Sequence, residues 1–163
     1  MPAAPRDRDA ANDMNMQIKP ATPYREQVVS LLASQKLPYD DLPADLDNFI
    51  VASHGKEIIA VAGVEIYGAC GLLRSVAVNP DYRNQGIAGK LVVGISEIAA
   101  NNGVNQLWLL TETASDYFAR KGFEQIARAN VPAEVQQSSE FAHVCPQSAI
   151  AMKREIPFND NKE

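Results

Sequence analysis

Apolar positions along the chain change their spacing several times, from the alternation typical of strands to the three- and four-residue intervals typical of helices. This pattern predicts strands over residues 17–21, 49–52, 57–67, 71–78, 106–110, 123–127 and 149–152. It predicts helices from Pro23 to about Lys36, from Ile87 to about Asn101 and over residues 114–121, with two short helical stretches after Pro132. A strand meander that continues as β-α-β-α-β predicts an α+β fold in which helices cover a sheet.

The length and composition are typical of one folded domain. The chain has 163 residues, of which 46% are hydrophobic and 21% are charged, and this is enough to bury one core. Residues 1–15 mix charge, Pro and Ala without the apolar stretch of a signal peptide, so we expect a disordered N-terminal tail. We therefore predict a single domain over residues 16–156 and a C-terminal tail over residues 157–163.

Charge and residue spacing disfavour several classes of partner. The net charge is -5 and no dense run of Lys and Arg occurs, so we do not expect nucleic acid as a partner. The apolar stretches are too short to cross a bilayer, so we expect no membrane contact and a cytoplasmic protein. Cys70, Cys145, His54 and His143 are widely spaced, and we predict reduced cysteines and no metal site.

Residues 75–90 carry the clearest chemical signal. A predicted strand ends at Val78, an Asn-Pro turn follows, and a loop with Arg83, Gly86 and Gly89 opens directly into a predicted helix. Because the first turn of a helix presents unpaired N–H groups and the positive end of the dipole, this junction predicts an anion site. The alternative is that the glycines only let the loop turn and the helix pack closely. The spacing matches neither the P-loop nor the dinucleotide-binding glycine pattern.

Two segments resemble one known family. Residues 76–88 resemble the acetyl-CoA signature of the GNAT superfamily of N-acetyltransferases, Arg/Gln-x-x-Gly-x-Gly/Ala, and Arg83, Gly86 and Ala88 fill that pattern. Residues 117–123 resemble the helix-to-strand element of the same family. The resemblance extends from about the first predicted strand to the last, which makes residues 16–156 an expected acetyltransferase domain.

Within the superfamily, the likeness is greatest to the amino-acid acetyltransferases, in particular to the small branch associated with arsenic-resistance operons. The segments that carry it are residues 37–42, 63–65, 72–75, 109–114, 138–141 and 145–146. The resemblance implies a GNAT-type mixed, mostly antiparallel central sheet of about seven strands, with splayed fourth and fifth strands, flanked by helices. It also implies acetyl-CoA as cosubstrate and a small-molecule amine as the other substrate.

The resemblance assigns the cofactor site to one strand end, the following loop and the first helical turn. The residues implied are Val76, Ala77, Val78, Arg83, Asn84, Gln85, Gly86, Ile87, Ala88, Gly89 and Lys90, together with Phe118. The pantetheine arm is expected along the strand and the pyrophosphate on the amides of the loop. The backbone amide of Val78 is the predicted oxyanion donor to the thioester carbonyl.

The acceptor amine must be neutral to attack, whereas a free amino group is mostly protonated at pH 7. We predict Glu65 as the base and Glu112 as the second candidate; the alternative for either is an exposed strand-end carboxylate. Arg74 is predicted to bind a substrate α-carboxylate, although strand alternation equally allows it to face solvent. Ser75 and Thr111 are weaker substrate-binding candidates, because hydroxyls at the ends of elements often cap the backbone.

One position departs from the family pattern. Many members place a tyrosine four residues before the Gly-Phe pair to protonate the CoA thiolate, but Phe118 occupies that position and Tyr117 precedes it. Whether Tyr117 or water acts as the acid is left open.

The predicted function is N-acetyl transfer by direct attack of a small amino-acid-like amine on acetyl-CoA, in arsenic or amino-acid-analogue resistance. Acetylation of a protein or peptide amine and a non-catalytic acetyl-CoA-binding module are the alternatives. The identity of the amine and the formation of a homodimer are left open.

Overall fold

The computed structural model of the chain describes residues 16–138 and 149–156. Its strands are β1 (Met16–Pro20), β2 (Phe49–His54), β3 (Glu57–Tyr67), β4 (Cys70–Val78), β5 (Gln106–Thr111), β6 (Glu124–Ile126) and β7 (Ile150–Glu155). Its α-helices are α1 (Arg25–Ser34), α2 (Ile87–Asn101), α3 (Ser115–Arg120) and α4 (Ala133–Gln136). Short 3-10 turns cover Thr22–Tyr24, Pro80–Tyr82 and Arg128–Asn130. Both predicted tails, Cys145 and His143 lie outside the described residues.

The strands form a seven-stranded mixed sheet in the order β1-β2-β3-β4-β5-β7-β6. Two-residue turns join β2 to β3 and β3 to β4, which requires antiparallel neighbours, and β7 is antiparallel to both β5 and β6. The parallel ladder between β4 and β5 covers only Cys70–Leu72 paired with Gln106–Trp108. The predicted α+β fold, a seven-stranded mixed sheet flanked by helices, is confirmed.

The chain divides into two compact units. Of the described residues, the first unit contains 16–62 and 75–91, and the second contains 63–74, 92–138 and 149–156. The predicted single domain with two tails therefore stays a prediction.

The core of the first unit forms where α1 packs its apolar face on β2. Val28, Leu31 and Leu32 are spaced three and four residues apart, so they share one helix face, and they pack against Phe49 and Val51. The loop after α1 joins this core through two buried leucines, Leu42 and Leu46. The Arg25 guanidinium holds the loop by donating to the carbonyls of Leu42, Pro43 and Ala44 at 3.5, 2.6 and 3.2 Å.

The core of the second unit contains Leu72 of β4, Trp108 of β5, Ala151 of β7 and two residues of the α4 region, Val131 and Val135. One glycine of β4 is closely packed. A Cβ atom at Gly71 would lie 3.0 Å from Cγ2 of Val64 and 3.2 Å from Cδ2 of Leu107, so a larger residue would require these side chains to shift.

Within the described part of the chain, no helix has the length and apolarity that crossing a bilayer requires. Among residues 16–138 and 149–156, no three His, Cys, Asp or Glu side chains converge as metal ligands would.

Candidate functional site

At the end of β4, one backbone edge faces β3 and the other edge faces away from β3. Ser75 has a left-handed φ of +60°, a conformation that occurs where a β-bulge bends a strand. The N–H of Asn79 donates to the carbonyl of Ile59 on β3 at 2.7 Å. Because backbone groups alternate between the two edges of a strand, the N–H and C=O of Val78 point to the opposite edge. This is the edge on which the short ladder to β5 has already ended at Leu72.

The carbonyl of Val78 accepts two side-chain hydrogen bonds on that edge. Gln35, the C-cap residue directly after α1, donates from Nε2 at 2.7 Å, and Arg83 donates from Nε at 3.2 Å. The carbonyl oxygen of Val78 is therefore already hydrogen-bonded to two side chains of the protein. The predicted oxyanion donor, the amide N–H of Val78, lies on the same edge.

The loop between β4 and α2 reverses its backbone twice before the helix begins. Asn84 and Gly86 have φ values of +65° and +78°, and the N–H of Lys90 donates to the carbonyl of Gly86 at 3.1 Å, which makes Gly86 the residue that caps the helix. The amides of the first turn, residues 87–89, have no carbonyl acceptor within α2. A Cβ atom at Gly86 would meet nothing within 4 Å beyond its chain neighbours, so the loop is open at this residue. Unpaired first-turn amides are the groups that bind anions at helix starts, and the anion site stays a prediction.

The start of this loop is anchored to the hairpin between β2 and β3. Tyr82 is 9% exposed; its ring centroid lies 5.6 Å from that of His54, and its hydroxyl contacts His54 Nδ1 at 3.3 Å and Glu57 Oε1 at 3.5 Å. The Asn79 side chain accepts from the N–H of Asp81 at 2.9 Å and closes the turn into Pro80–Tyr82. The loop is therefore held at its base while its tip is left accessible.

The predicted cofactor residues of this region fall into two groups. The buried ones, Ala77 and Ile87, are 3% exposed and fix the strand and helix to the core. The accessible ones are half-buried or exposed: Val76, Val78, Arg83, Asn84, Gln85, Gly86, Ala88, Gly89 and Lys90. We call residues 75–90 the β4–α2 junction.

In the second unit, three side chains of β3 and β4 form a group that we call the Glu65 cluster: Glu65, Tyr67 and Arg74. The Nη1 atom of Arg74 donates to Oε2 of Glu65 at 2.5 Å, and the Tyr67 hydroxyl donates to Oε1. The side chain of Arg74 is 0% exposed and that of Glu65 is 17% exposed. The solvent-facing alternative for Arg74 is therefore excluded, and the residues predicted as base and carboxylate ligand contact each other.

Tyr67 keeps its proton. Burial raises the pKa of its phenol well above the usual value, and the hydrogen bond to Glu65 and the negative charge of Glu65 raise this pKa further. The charge of Arg74 and a hydrogen bond with Ser138 act in the opposite direction without cancelling the rise. Tyr67 therefore acts as a hydrogen-bond donor to the carboxylate.

The remaining candidates lie around β5 and α3. The Thr111 hydroxyl accepts from the N–H of Ala114 at 3.0 Å just before α3, so it bonds to the backbone as hydroxyls at the ends of elements often do. Glu112, the next residue, is exposed. Phe118 is 7% exposed and packs edge-to-face on Phe123, with centroids 5.6 Å apart. A role for Phe118 in cofactor binding stays a prediction, as do the roles of Thr111 and Glu112.

Tyr117 is half-buried, and it packs edge-to-face on Phe118 with ring centroids 5.2 Å apart. The ammonium of Lys121 lies 5.5 Å from the centre of its ring. Burial raises the pKa of its phenol, and the charge of Arg120 lowers it by less. Tyr117 is therefore a neutral phenol, and its role as an acid stays open.

Sequence reasoning missed two residues of these regions. Tyr67 lies two positions after Glu65 in one strand, and this spacing places both side chains on the same face, so strand alternation could have found it. Gln35 is 43 residues from Val78 in the chain, and no local pattern connects the two.

Comparison with known proteins identifies similar sequences and similar folds. The model of the acetyltransferase (GNAT) domain matches residues 45–125. The amino-acid acetyltransferase of Ectopseudomonas mendocina is 29% identical over 123 residues, which cover 74% of this chain and 28% of that protein. The chain thus spans little more than a quarter of that relative.

Solved structures show the same fold. N-acetylglutamate synthase from Neisseria gonorrhoeae, complexed with coenzyme A and N-acetyl-glutamate, matches with a TM-score of 0.71 at 17% identity, covering 86% of this chain and 35% of that chain. A Mycobacterium tuberculosis protein in complex with CoA matches with a TM-score of 0.71 at 21% identity, covering 85% of this chain and 98% of that chain.

Proposed function

We infer that this chain, whose residues 45–125 match the acetyltransferase (GNAT) domain, transfers the acetyl group of acetyl-CoA to the amine of a small amino-acid-like molecule. The observation that carries this proposal is the β4–α2 junction. There a strand edge bearing the Val78 N–H runs into a glycine-capped helix start whose first-turn amides have no acceptor within the helix. The CoA-bound and amino-acid acetyltransferase relatives support the same chemistry.

The β4–α2 junction fits acetyl-CoA by the chemistry of its donors. The amides of residues 85–89, with the side chains of Arg83 and Lys90 beside them, would hold the pyrophosphate, because backbone N–H groups, the helix dipole and two cations all favour negative charge. Residues 76–78 would lie along the pantetheine arm. Acetyl-CoA supplies an activated acetyl group, and the Val78 N–H would stabilise negative charge on its carbonyl oxygen.

The Glu65 cluster fits an amino acid. Its carboxylate can take a proton from the attacking amine, and the buried Arg74 guanidinium can bind a substrate carboxylate in two places when that carboxylate replaces Glu65 as its partner. Arg74 directly precedes Ser75 in β4, so the residues proposed for the substrate and for the cofactor are consecutive along one strand. The amine attacks the thioester carbonyl directly, its proton goes to Glu65, and the CoA thiolate leaves. Glu112 is the second candidate for the base.

The finer assignments stay predictions. Participation in arsenic or amino-acid-analogue resistance, a cytoplasmic location and a homodimer stay predictions. Ser75, Thr111 and Phe118 stay candidates for binding the substrates.

Release of free CoA thiol tests the proposal. The chain is incubated with acetyl-CoA and, separately, with amino acids, their decarboxylated amines and short peptides. We expect thiol release with one or more amino acids and much less with the matching amines. Release with peptides alone would support a protein acetyltransferase, and CoA binding by calorimetry without any release would support a binding module.

A further inference from the structure

One hydrogen bond in the first unit joins two residues that are 43 positions apart in the chain. Its acceptor belongs to Val78, the residue whose N–H we propose as the oxyanion donor. The side chain of Gln35, at the end of α1, donates to the carbonyl of Val78 at 2.7 Å. A carbonyl oxygen can only accept, so the amide must present its NH₂ group to Val78. The contact therefore has a fixed direction.

The position of this bond is unusual for a strand. On its other edge β4 bonds to β3, as the 2.7 Å contact between the Asn79 N–H and the Ile59 carbonyl shows. On the edge of Val78, side chains rather than a strand satisfy the carbonyl. A side-chain donor can hold the peptide in place without covering the whole edge, whereas a paired strand would cover every backbone group on it.

The two donors to Val78 differ in what else they can do. Arg83 is exposed and belongs to the loop that we propose for the pyrophosphate, so a bound phosphate competes with Val78 for its guanidinium. Gln35 is uncharged, half-buried and fixed to the end of a helix that packs into the core. Gln35 therefore keeps the carbonyl of Val78 in place when a phosphate attracts Arg83.

We propose that Gln35 is a positioning residue for acetyl transfer: it fixes the end of β4 through the Val78 carbonyl and so holds the Val78 N–H in line with the thioester carbonyl. This inference rests on the proposed function, which assigns that N–H to the thioester. A hydrogen-bond donor that is already oriented accelerates acetyl transfer, because it needs no rearrangement as negative charge develops on the thioester oxygen in the transition state.

The test uses two variants of Gln35 and one matched control. Gln35→Glu keeps the size of the side chain but cannot donate as a carboxylate, and Gln35→Ala removes the group. Asn102→Ala is the control, because Asn102 also donates a side-chain amide to a backbone carbonyl, that of Ile98, at 2.8 Å near the opposite end of α2. We expect both Gln35 variants to lower kcat roughly tenfold, the usual worth of one hydrogen bond. The Kd for CoA should stay within about threefold, and Asn102→Ala should leave kcat within about twofold.

A second measurement needs no turnover. The ¹³C resonance of acetyl-CoA labelled at the thioester carbonyl should shift on binding to the unaltered protein, and this shift should shrink in both Gln35 variants but not in Asn102→Ala. If the protein binds acetyl-CoA but acetylates no amine, the proposed function fails while the resonance still decides the role of Gln35. An unchanged carbonyl shift in Gln35→Glu, or an equal loss of kcat in Asn102→Ala, would overturn the inference.

Discussion

The β4–α2 junction and the Glu65 cluster are built from different materials. The junction is made mainly of backbone: Ser75 and Asn84 in the left-handed conformation, and a glycine that caps α2. The Glu65 cluster is made of side chains, in which one carboxylate receives a donor on each oxygen. A backbone site depends on a few conformations and tolerates most side chains, whereas a side-chain site depends on every partner at once.

The comparison predicts two kinds of response to substitution. In the junction, a change should matter only where it alters a backbone angle or enters the space of the ligand. In the Glu65 cluster, removing one side chain should change the contribution of the other two, so the free-energy effects of single substitutions should not add.

The largest effect is expected for Gly86→Val. A valine here places a branched side chain in front of the first-turn amides, and we expect the affinity for CoA to fall at least roughly a hundredfold. Gly103→Val is the matched control: its φ of +84° is close to the +78° of Gly86, and its Cβ also meets no atom within 4 Å. Both variants should lose similar stability, but calorimetry should show the loss of CoA binding in Gly86→Val alone. Equal binding by both would contradict the site.

The next effect concerns the ion pair of the Glu65 cluster. We expect Arg74→Ala to cost on the order of 2–4 kcal/mol in kcat/KM for an amino acid, and Glu65→Gln to lower kcat roughly a hundredfold. Because the two side chains bond at 2.5 Å, the double variant should lose clearly less than the product of the two single losses. Steady-state kinetics of the three variants measure this coupling.

Glu112→Gln is the control for the base, and the exposed Glu112 should contribute little. Multiplicative losses in the double variant would mean that Arg74 and Glu65 work independently. A larger loss in Glu112→Gln than in Glu65→Gln would move the base to Glu112.

The features of the fold that the sequence predicts are those that depend on residues close together in the chain. The predicted strand over residues 57–67 and the predicted helix from Ile87 to about Asn101 match β3 and α2, because their apolar spacing and end signals are local. The change from strand to helix at the β4–α2 junction is also predictable, because it depends on consecutive residues, whereas anion binding there stays a prediction.

The parts that the sequence did not predict depend on distant partners. The pattern predicts a strand over residues 149–152, whereas β7 extends to Glu155 through the polar residues Lys153 and Arg154. These residues extend the strand because β5 pairs with them on one edge, with Trp108 opposite Lys153, and this pairing outweighs local propensity. The contact of Gln35 with Val78, 43 residues apart in the chain, was missed for the same reason, whereas the contact of Tyr67 with Glu65 is local and could have been predicted from strand alternation.

Two half-buried tyrosines, one inside the Glu65 cluster and one outside it, allow the effect of losing a hydroxyl to be compared. Tyr67→Phe removes a hydrogen bond to a charged group, and we expect kcat/KM to fall roughly tenfold. Tyr117→Phe is the matched comparison, because burial also raises its pKa while its ring packs on Phe118. We expect a loss of less than about threefold. A greater loss in Tyr117→Phe would indicate that it is the acid that protonates CoA.

Alkaline unfolding gives a further readout of Tyr67. Its pKa is higher in the folded than in the unfolded chain, so its contribution to stability is complete below the unfolded value of about 10 and is lost as pH rises above it. The difference in unfolding free energy between the unaltered protein and Tyr67→Phe should therefore shrink as pH rises above about 10. A constant difference across that range would argue against the raised pKa.

The smallest effect is expected for Lys36→Gly, which tests backbone strain next to Gln35. Lys36 follows α1 with a φ of +60°, whereas the left-handed residue after α3 is Gly122, at +94°. The left-handed conformation costs a non-glycine residue about 1–2 kcal/mol, and glycine loses about 0.5–1 kcal/mol through greater freedom in the unfolded chain. The net gain in unfolding free energy should be about 0.5 kcal/mol, seen as a higher urea midpoint with an unchanged slope.

Lys121→Gly is the control for that change, because Lys121 ends α3 at an ordinary φ of -95° and offers no strain to relieve. It should lower the unfolding free energy by about 0.5–1 kcal/mol. The Lys36 side chain belongs to neither region, so kcat should stay the same in Lys36→Gly. If kcat fell instead, the rigidity of the α1 end would itself be part of how Gln35 holds Val78, and the junction would depend on side-chain placement as much as the Glu65 cluster does.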